Sequence, residues 1–289
     1  MDWMDRERNF WIVGGDLRQR ALARLLREDG HTVHIAALEG EGLVAEPLGP
    51  GLALAHCVIL PLPVTRRGEI LHTPLSREEV TLPQLLDWLE PGQVLCGGMV
   101  APQAAAAAQA RGLRLLDYYA REECMVVNAV PTAEGAVQIA MEQLPITIHG
   151  ARVLVVGFGR VGRALAPRLQ ALGARVTVAA RRYEQRSLAQ SMGLGTERAD
   201  RLPDWLCGYD LVVNTAPARV LGVEELSALK EGALVIDLAS KPGGVDMAGA
   251  AALGVRVVWA LSLPGKVAPV SAGRYIMDTV YHIMEELGI

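Results

Sequence analysis

The sequence predicts an α/β protein built from two doubly wound parallel sheets, each the core of a separate domain. Short apolar runs, typical of buried strands, alternate with amphipathic helical segments along nearly the whole chain. The length of 289 residues leaves room for two cores of ordinary size. Near residues 14 and 157, an apolar strand runs into a glycine-rich turn and then into a helix, as expected for such sheets.

Residues 1–127 are predicted to form the first domain. A strand from Phe10 to Val13 leads into Gly14-Gly15-Asp16, and an amphipathic helix follows from Leu17 to Glu28. Segment 39–54 is rich in Gly and Pro and is predicted to be a surface loop. Further strands are expected at 31–37, 57–62, 94–96 and 113–116, and helices at 82–89 and 102–111. This order predicts a flavodoxin-like or Rossmann-like sheet with right-handed crossovers.

Two helical segments are predicted to connect the domains. The interdomain segment 128–150 contains a helix from Asn128 to about Leu144, where Pro145 ends it. The C-terminal segment 266–289 contains a last helix, which is expected to pack back on the first domain. The second domain, 151–265, is predicted to have parallel strands at 153–156, 175–179, 211–214, 234–238 and 255–258. The carboxyl ends of both sheets would line a cleft, and open α/β folds bind ligands in such clefts.

A phosphate-binding turn is predicted where the second domain begins. The apolar run Val153–Val156 leads directly into Gly157-Phe158-Gly159-Arg160-Val161-Gly162 and a helix. The first glycine permits a tight turn, the second lets the main chain approach a pyrophosphate, and the third lets helix and strand pack closely. Because the strand, turn, helix and next strand come in the right order, we interpret 151–265 as a Rossmann NAD(P)-binding domain. The alternative is a merely structural glycine turn.

The end of the second strand of this domain favours NADP over NAD. An NAD site has Asp or Glu there to bind the ribose 2′-hydroxyl, whereas this chain has Arg181 and Arg182, with no carboxylate before Glu184. A guanidinium matches the oxygens of a 2′-phosphate. The alternative is that both arginines are ordinary solvated charges. Asn214, Thr215 and Asp237 end the next two strands and are further candidates for cofactor binding, Asn214 also for fixing its turn.

Composition excludes several classes of function. The net charge is −4, aromatic residues make up only 4%, and no basic stripe is present, so no nucleic-acid partner is expected. The longest apolar run, 52–64, is interrupted by Pro61 and Pro63, and no membrane span is expected. The charged N-terminus lacks a secretory signal, which predicts a cytoplasmic protein. The four cysteines have no CxxC spacing and are expected to be buried thiols, with no disulfide and no metal site: Cys57, Cys96, Cys124 and Cys207.

Lysine is rare in this arginine-rich chain. Only three of the 28 basic residues are lysine, and two of these, Lys241 and Lys266, follow strands in predicted Pro-Gly loops. Arg and Lys are not interchangeable where a compact ammonium must reach a substrate, so both are candidate functional residues. Chance retention is the alternative.

The motifs together resemble the family of dipicolinate synthase A subunits. They are Gly14-Gly15-Asp16 with Arg18-Gln19, NAVPTAEG at 128–135, the GFGRVG turn, IDLASKPGG at 236–244 and LPGKVAP at 263–269. Single motifs also resemble alanine dehydrogenases and methylenetetrahydrofolate dehydrogenases, but the combination in this order is more specific. The resemblance covers nearly the whole chain and is weakest over 39–92.

The resemblance implies an NADP-dependent oxidoreductase acting on a CH–CH bond. It implies that the chain oxidises dihydrodipicolinate to dipicolinate (pyridine-2,6-dicarboxylate) by hydride transfer in the interdomain cleft. The implied partner is the B subunit of dipicolinate synthase, which is flavoprotein-like, and a homo-oligomer is expected as well. The implied setting is the mother-cell cytoplasm during sporulation.

A dicarboxylate substrate requires cationic or N–H donors for both carboxylates. Arg18, Lys241 and Lys266 are the candidate cations, and Thr132 is a candidate neutral donor. Asp16 could take a proton or orient Arg18, although an Asp at a helix start is first of all an N-cap. Arg18 could instead be a solvent-facing helix residue. No Ser/His/Asp or Cys/His constellation stands out, and His31, His34, His56 and His149 are interpreted as structural.

Two rival functions remain open at this point. One keeps the fold and cofactor but changes the substrate to another small carboxylate, because fold alone does not fix substrate. The other is a nucleotide-sensing scaffold protein whose partner performs the chemistry. Cationic groups converging on the nicotinamide would favour the enzyme, whereas a sensor needs only the phosphate-binding turn.

Overall fold

The computed structural model describes residues 7–40 and 42–289, which divide into two compact units. The first unit comprises the described residues up to Asn128 together with Ala268–Ile289, and the second is Ala129–Val267. Each unit contains one all-parallel sheet, and apolar clusters cover both faces of each sheet. The predicted α/β class with two doubly wound sheets is therefore confirmed.

The first unit is built on a five-stranded sheet in the order β2-β1-β3-β6-β7. Side chains alternate along β1: Phe10 and Ile12 pack into the cluster that holds α1, while Trp11 and Val13 pack into the cluster on the opposite face. The strands are β1 Asn9–Val13, β2 Thr32–Ala36, β3 Cys57–Ile59, β4 Thr65–Arg67, β5 Ile70–Leu71, β6 Val94–Gly97 and β7 Leu115–Asp117, and the helices are α1 Leu17–Glu28, α2 Leu82–Leu86 and α3 Pro102–Gln109.

The hairpin of β4 and β5 was absent from the sequence prediction. It is antiparallel and turns at Gly68, whose φ is +55°. The strand predicted over 57–62 ends at Ile59, because prolines at 61 and 63 lack the N–H group that a central strand requires. The described residues of segment 39–54 contain no α-helix and no strand of the sheet; a 3₁₀ helix spans Pro50–Leu54.

The helix that contains the boundary between the units, α4, is Glu122–Gln143. It begins at Glu122 and not at Asn128, so the prediction of its start was wrong. Two glutamates in the first turn stabilise the positive end of the helix dipole, and the helix continues through Pro131. By length and hydropathy alone, α4 is one helix of the described chain that could cross a membrane. Buried helices of globular proteins pass the same test.

The second unit is built on a six-stranded sheet in the order β10-β9-β8-β11-β12-β13. The order reverses between β8 and β11, and ligands bind at such switch points in open α/β sheets. The short strand β10 was not predicted, because its sequence, GTER, has no apolar run. The strands are β8 Arg152–Val156, β9 Arg175–Ala180, β10 Gly195–Arg198, β11 Leu211–Asn214, β12 Leu234–Asp237 and β13 Arg256–Trp259, and the helices are α5 Arg160–Ala171, α6 Tyr183–Ser191, α7 Val223–Ser227, α8 Met247–Leu253 and α9 Leu263–Val267.

The last helix, α10 (Pro269–Glu286), belongs to the first unit and packs on α1. At Gly273 the two helices approach so closely that an added Cβ would lie 2.7 Å from the carbonyl oxygen of Arg18. Ile276, Val280 and Ile283 are buried in the same cluster as the apolar face of α1. The prediction that the C-terminal helix packs back on the first domain is confirmed.

All four cysteines are free thiols. Cys57, Cys96 and Cys124 are buried as predicted, and burial raises the pKa of Cys57 and Cys124. The prediction was wrong for Cys207, which is exposed because it lies in a surface 3₁₀ turn, Leu206–Gly208.

Candidate functional site

The glycine-rich turn after β8 has the geometry that its sequence predicts. Gly157 has a φ of +95°, and an added Cβ would lie 2.6 Å from the hydroxyl of Thr215. An added Cβ at Gly162 would collide with the carbonyl oxygen of Gly157. Both positions therefore require glycine, the first for backbone conformation and the second for the close approach of α5 to the turn.

The middle glycine, Gly159, is the position where a diphosphate fits. It is exposed, it is the N-cap residue of α5, and an added Cβ would meet no atom within 4 Å. The N-cap residue of α5 makes no side-chain hydrogen bond to the first turn of the helix. Open space above a glycine and amides at a helix N-terminus form an anion site. The residues present thus fit a dinucleotide.

The side chains around this turn have different environments. Phe158 is fully buried in the core of the second unit, so its ring anchors the turn and only its main chain remains for a cofactor. Its carbonyl oxygen accepts hydrogen bonds from Arg163 (3.2 Å) and Gln185 (3.4 Å). Val161 is partly buried, and Arg160 is exposed at the start of α5. The predicted cofactor contacts of these residues stay predictions.

Thr215 and Asn214 fix the adjacent turn after β11. The Thr215 hydroxyl donates to the carbonyl oxygen of Val156 at 3.0 Å, which ties this turn to the end of β8. Asn214 is fully buried; its amide donates to Asp237 at 2.7 Å and to the carbonyl oxygen of Ala216 at 3.2 Å. These hydrogen bonds of Asn214 fix the turn, which is one of the two roles predicted for this residue.

Asp237 is the buried acceptor that holds the loop after β12. Its carboxylate accepts the amide of Asn214 and the main-chain N–H groups of Ala239 (3.0 Å) and Gly244 (2.7 Å). Only 1% of the surface of Asp237 is exposed, and its carboxylate oxygens stabilise the conformation of this loop. The loop contains Lys241, which is exposed.

Three arginines surround the end of β9, and one of them was missed by the sequence analysis. Arg181 and Arg182 are both exposed, and Arg182 is the N-cap residue of α6. Arg186 donates to the carbonyl oxygens of Ala180 (2.7 Å) and Arg181 (2.8 Å), and its guanidinium lies 4.4 Å from the centre of the Tyr183 ring. Arg186 thereby holds the main chain that carries Arg181 and Arg182. Its position in the second turn of the helix after β9 was the available signal.

The other candidate residues of the second unit are Thr132 and Lys266. Lys266 is exposed in the last turn of α9, so the prediction of a Pro-Gly loop there was wrong; Leu263, Pro264 and Gly265 are buried in a short helix. Thr132 is partly buried on α4. At Gly135, one turn later, an added Cβ would lie 3.1 Å from Leu263, so α4 and α9 pack closely together.

In the first unit, Asp16 and Arg18 form a largely buried ion pair. Asp16 caps α1 as expected, and its carboxylate also accepts three hydrogen bonds from the Arg18 guanidinium, at 2.9, 3.2 and 2.8 Å. Arg18 also donates to the carbonyl oxygen of Leu62 at 2.7 Å and is 7% exposed, so it is not a solvent-facing residue. Burial alone would raise the pKa of Asp16, but the hydrogen bonds and charge of Arg18 outweigh burial and lower it.

Two family models match overlapping parts of the chain. Residues 9–119 match the family model of the N-terminal domain of the dipicolinate synthase A subunit. Residues 108–245 match the model of the D-isomer specific 2-hydroxyacid dehydrogenase, NAD binding domain. The chain is 32% identical to the dipicolinate synthase A subunit of Bacillus subtilis (strain 168) over 284 residues, which is 96% of this chain and 95% of that protein.

Solved structures extend the likeness to the whole fold. The crystal structure of the dipicolinate synthase A subunit from Bacillus subtilis has a TM-score of 0.88 at 29% identity, covering 100% of this chain and 99% of that one. The A subunit of the Bacillus halodurans enzyme has a TM-score of 0.87 at 29% identity, covering 96% and 97%. The described residues therefore share one architecture with both.

Proposed function

The chain belongs to the family of dipicolinate synthase A subunits, and we propose that it oxidises dihydrodipicolinate to dipicolinate with NADP. Its NAD-binding dehydrogenase domain makes it an oxidoreductase that uses a nicotinamide cofactor. We further propose that the bond oxidised is a CH–CH bond and that the partner is the flavoprotein-like B subunit of the synthase. The protein would also self-associate and act in the mother-cell cytoplasm during sporulation.

One observation carries the redox part of the proposal. The turn at Gly157–Gly162 has no Cβ at its exposed centre and leads into a helix whose N-terminus lacks a side-chain cap. A diphosphate would accept hydrogen bonds from the main-chain amides of this first turn. When bound, the nicotinamide supplies the acceptor for a hydride. Thr215 and Phe158 keep the turn in place, the first by its hydrogen bond to β8 and the second by core packing.

The preference for NADP is supported by the arginines at the end of β9. Arg181 and Arg182 are exposed and lie where an NAD site has a carboxylate. Arg186 uses its own donors on main-chain carbonyl groups, so it positions the turn while the other two guanidinium groups remain directed to solvent. Two planar cations match the oxygens of a 2′-phosphate.

The two carboxylates of the substrate need cations, and each unit offers some. In the second unit, the exposed ammonium groups of Lys241 and Lys266 are the candidate partners, with Thr132 as a neutral donor. In the first unit, Arg18 is the candidate, and Asp16 orients it through their paired hydrogen bonds. Because Arg18 is already neutralised by Asp16, its contribution is a directed hydrogen bond more than a free charge.

The test follows NADPH formation. Purified protein is mixed with freshly prepared dihydrodipicolinate and NADP, with and without its partner protein, and NADPH absorbance is recorded together with dipicolinate. We expect both to appear in equal amounts, and more slowly with NAD. Turnover of alanine or a 2-hydroxy acid in place of the dihydropyridine would indicate the rival substrate class. NADP binding without turnover, even with the partner protein present, would indicate a nucleotide-sensing scaffold.

A further inference from the structure

A histidine of the first unit lies beside the Asp16–Arg18 pair. His72 follows β5 directly, and its carbonyl oxygen accepts the N–H of Gly15 at 2.9 Å. The contact is tight, since an added Cβ at Gly14 would lie 2.8 Å from the methyl group of Thr73. The hairpin β4–β5 therefore packs on the glycine turn at the carboxyl end of β1, and this packing fixes the main chain of His72 at the edge where such sheets bind ligands.

The imidazole of His72 has unused hydrogen-bonding capacity. Its Nδ1 atom is buried and has no hydrogen-bond partner among the described residues. Buried polar atoms nearly always have a partner, either in the protein or in a bound molecule. Burial lowers the pKa of this imidazole; Asp16 opposes the shift, and the positive charges of Arg66 and Arg18 add to it. The ring is therefore neutral near pH 7 and able to accept a proton.

The charges around His72 leave one cation unpaired. Arg18 is neutralised by Asp16. Arg66, on β4, is exposed, interacts electrostatically with His72, and forms no hydrogen bond or ion pair within the part of the chain that the structure describes. A neutral imidazole beside an unpaired guanidinium suits a ligand that has a carboxylate next to an acidic C–H or N–H group. A dihydropyridine dicarboxylate is such a ligand.

We propose that His72 is the proton acceptor of the oxidation and that Arg66 binds one carboxylate of the substrate. This inference rests on the proposed function. Oxidation would remove one hydrogen of the dihydropyridine as a hydride, together with the electron pair of the broken bond, and bound NADP would supply the acceptor. A second hydrogen leaves as a proton, and its electron pair completes the aromatic ring. The lone pair of the His72 imidazole takes this proton, which later passes to water, so charge and atoms balance.

The experiment compares four variants of the full-length protein, assayed with its partner protein over a range of pH. We expect His72→Gln to lower kcat about 10²-fold and to remove the acid limb of the rate profile, with NADP affinity unchanged. Arg66→Gln is expected to raise KM, to weaken dipicolinate binding in calorimetry, and to shift the acid limb to higher pH, because Arg66 depresses the pKa of His72. The matched controls are His282→Gln, an exposed histidine of α10, and Arg67→Gln, an exposed arginine that follows Arg66 in β4 and has no interaction with His72.

The outcomes separate the inference from the proposed function. If the wild-type protein does not oxidise dihydrodipicolinate under any condition, the proposed function fails. If it does, but His72→Gln keeps its rate and its acid limb, the inference is overturned and the proposed function stands. Should His72→Gln unfold, as judged by melting temperature and NADP binding, the Arg66→Gln profile decides. An unshifted acid limb with unchanged KM then overturns the inference.

Discussion

At the scale of single residues, the side chains of the candidate site divide into those that hold the fold and those that remain open to a ligand. Asn214 and Asp237 are buried and direct their hydrogen bonds into neighbouring turns. Arg181, Arg182 and Lys241 are exposed. Substitutions in the first group are therefore expected to affect stability first, and substitutions in the second to affect ligand affinity.

Reversing the charge at the end of β9 is expected to change the choice of nucleotide. In the double variant Arg181→Asp, Arg182→Asp, carboxylates would repel a 2′-phosphate that the guanidinium groups attract, and one could accept the ribose hydroxyl of NAD. We expect the Kd for NADP to rise about 10²-fold while the Kd for NAD changes little, both measured by calorimetry. The control is Arg175→Asp, an exposed arginine at the opposite end of the same strand. An unchanged ratio of the two affinities would reject the NADP assignment.

The Asp16–Arg18 pair predicts how stability depends on pH. The folded-state pKa of Asp16 lies below its ordinary value of 3.8, so the stabilisation is present above that value and is lost as the pH falls through the lower, folded-state pKa. Asp16→Asn keeps an N-cap but leaves the buried guanidinium without a counter-charge. We expect the free energy of unfolding to fall by roughly 3 kcal/mol near neutral pH and to decline less steeply in acid than in the wild type. Urea denaturation over a range of pH measures both effects. Equal pH profiles of the two proteins would contradict this.

At the scale of elements, the glycine turn and α5 form a unit in which each glycine has its own reason. Gly162→Ala adds a methyl group that collides with the carbonyl oxygen of Gly157, so we expect a lower melting temperature. Gly159→Ala adds a methyl group that meets nothing, at a φ of −82° that alanine accepts. This variant should melt like the wild type but bind NADP at least about tenfold more weakly, because the methyl group fills the approach of the diphosphate. Undiminished affinity in Gly159→Ala would count against this anion site.

Helices and strands were predictable where residues close in the sequence determine them. The run Val153–Val156 and the glycines after it predicted β8, its turn and α5, because apolar periodicity and glycine geometry act over a few residues. β10 was missed because GTER is polar and becomes a strand only by pairing with β9. Lys266 was assigned to a loop from Pro264 and Gly265, but packing of Leu263 against α4 stabilises a helical turn there.

Arg186 and His72 were missed for different reasons. The partners of Arg186 lie only five and six residues away in the sequence, so its place after β9 was a usable signal, whereas the contact of His72 with Gly15 is tertiary. Arg186 becomes a positioning residue only through its hydrogen bonds to main-chain carbonyl groups at the end of β9. His72 lies in a hairpin that the sequence did not predict, within the segment where the family resemblance is weakest. The glycine turn after β8 was accessible from motifs, whereas the packing of β5 on the first glycine turn was not.

At the scale of the whole molecule, the two units differ in how the chain builds them. The second is a continuous segment, Ala129–Val267, while the first needs α10 from the far end of the sequence. Without α10, the buried apolar face of α1 would lose the contacts of Ile276, Val280 and Ile283. The stability of the first unit should therefore depend on the packing of α10 on α1. Nucleotide binding by the second unit should not depend on it.

Gly273 is the position that tests this separation. In Gly273→Leu the new side chain would force α10 away from Arg18 and Ala21 on α1, and overpacking of this kind costs about 1–3 kcal/mol. We expect the calorimetric transition of the first unit to move to lower temperature, while the Kd for NADP stays at the wild-type value because the phosphate-binding turn lies in the other unit. Val270→Leu, at an exposed position of the same helix, is the control and should change neither. A parallel loss of NADP affinity in Gly273→Leu would mean that the units do not behave independently, and the cofactor site would then depend on α10.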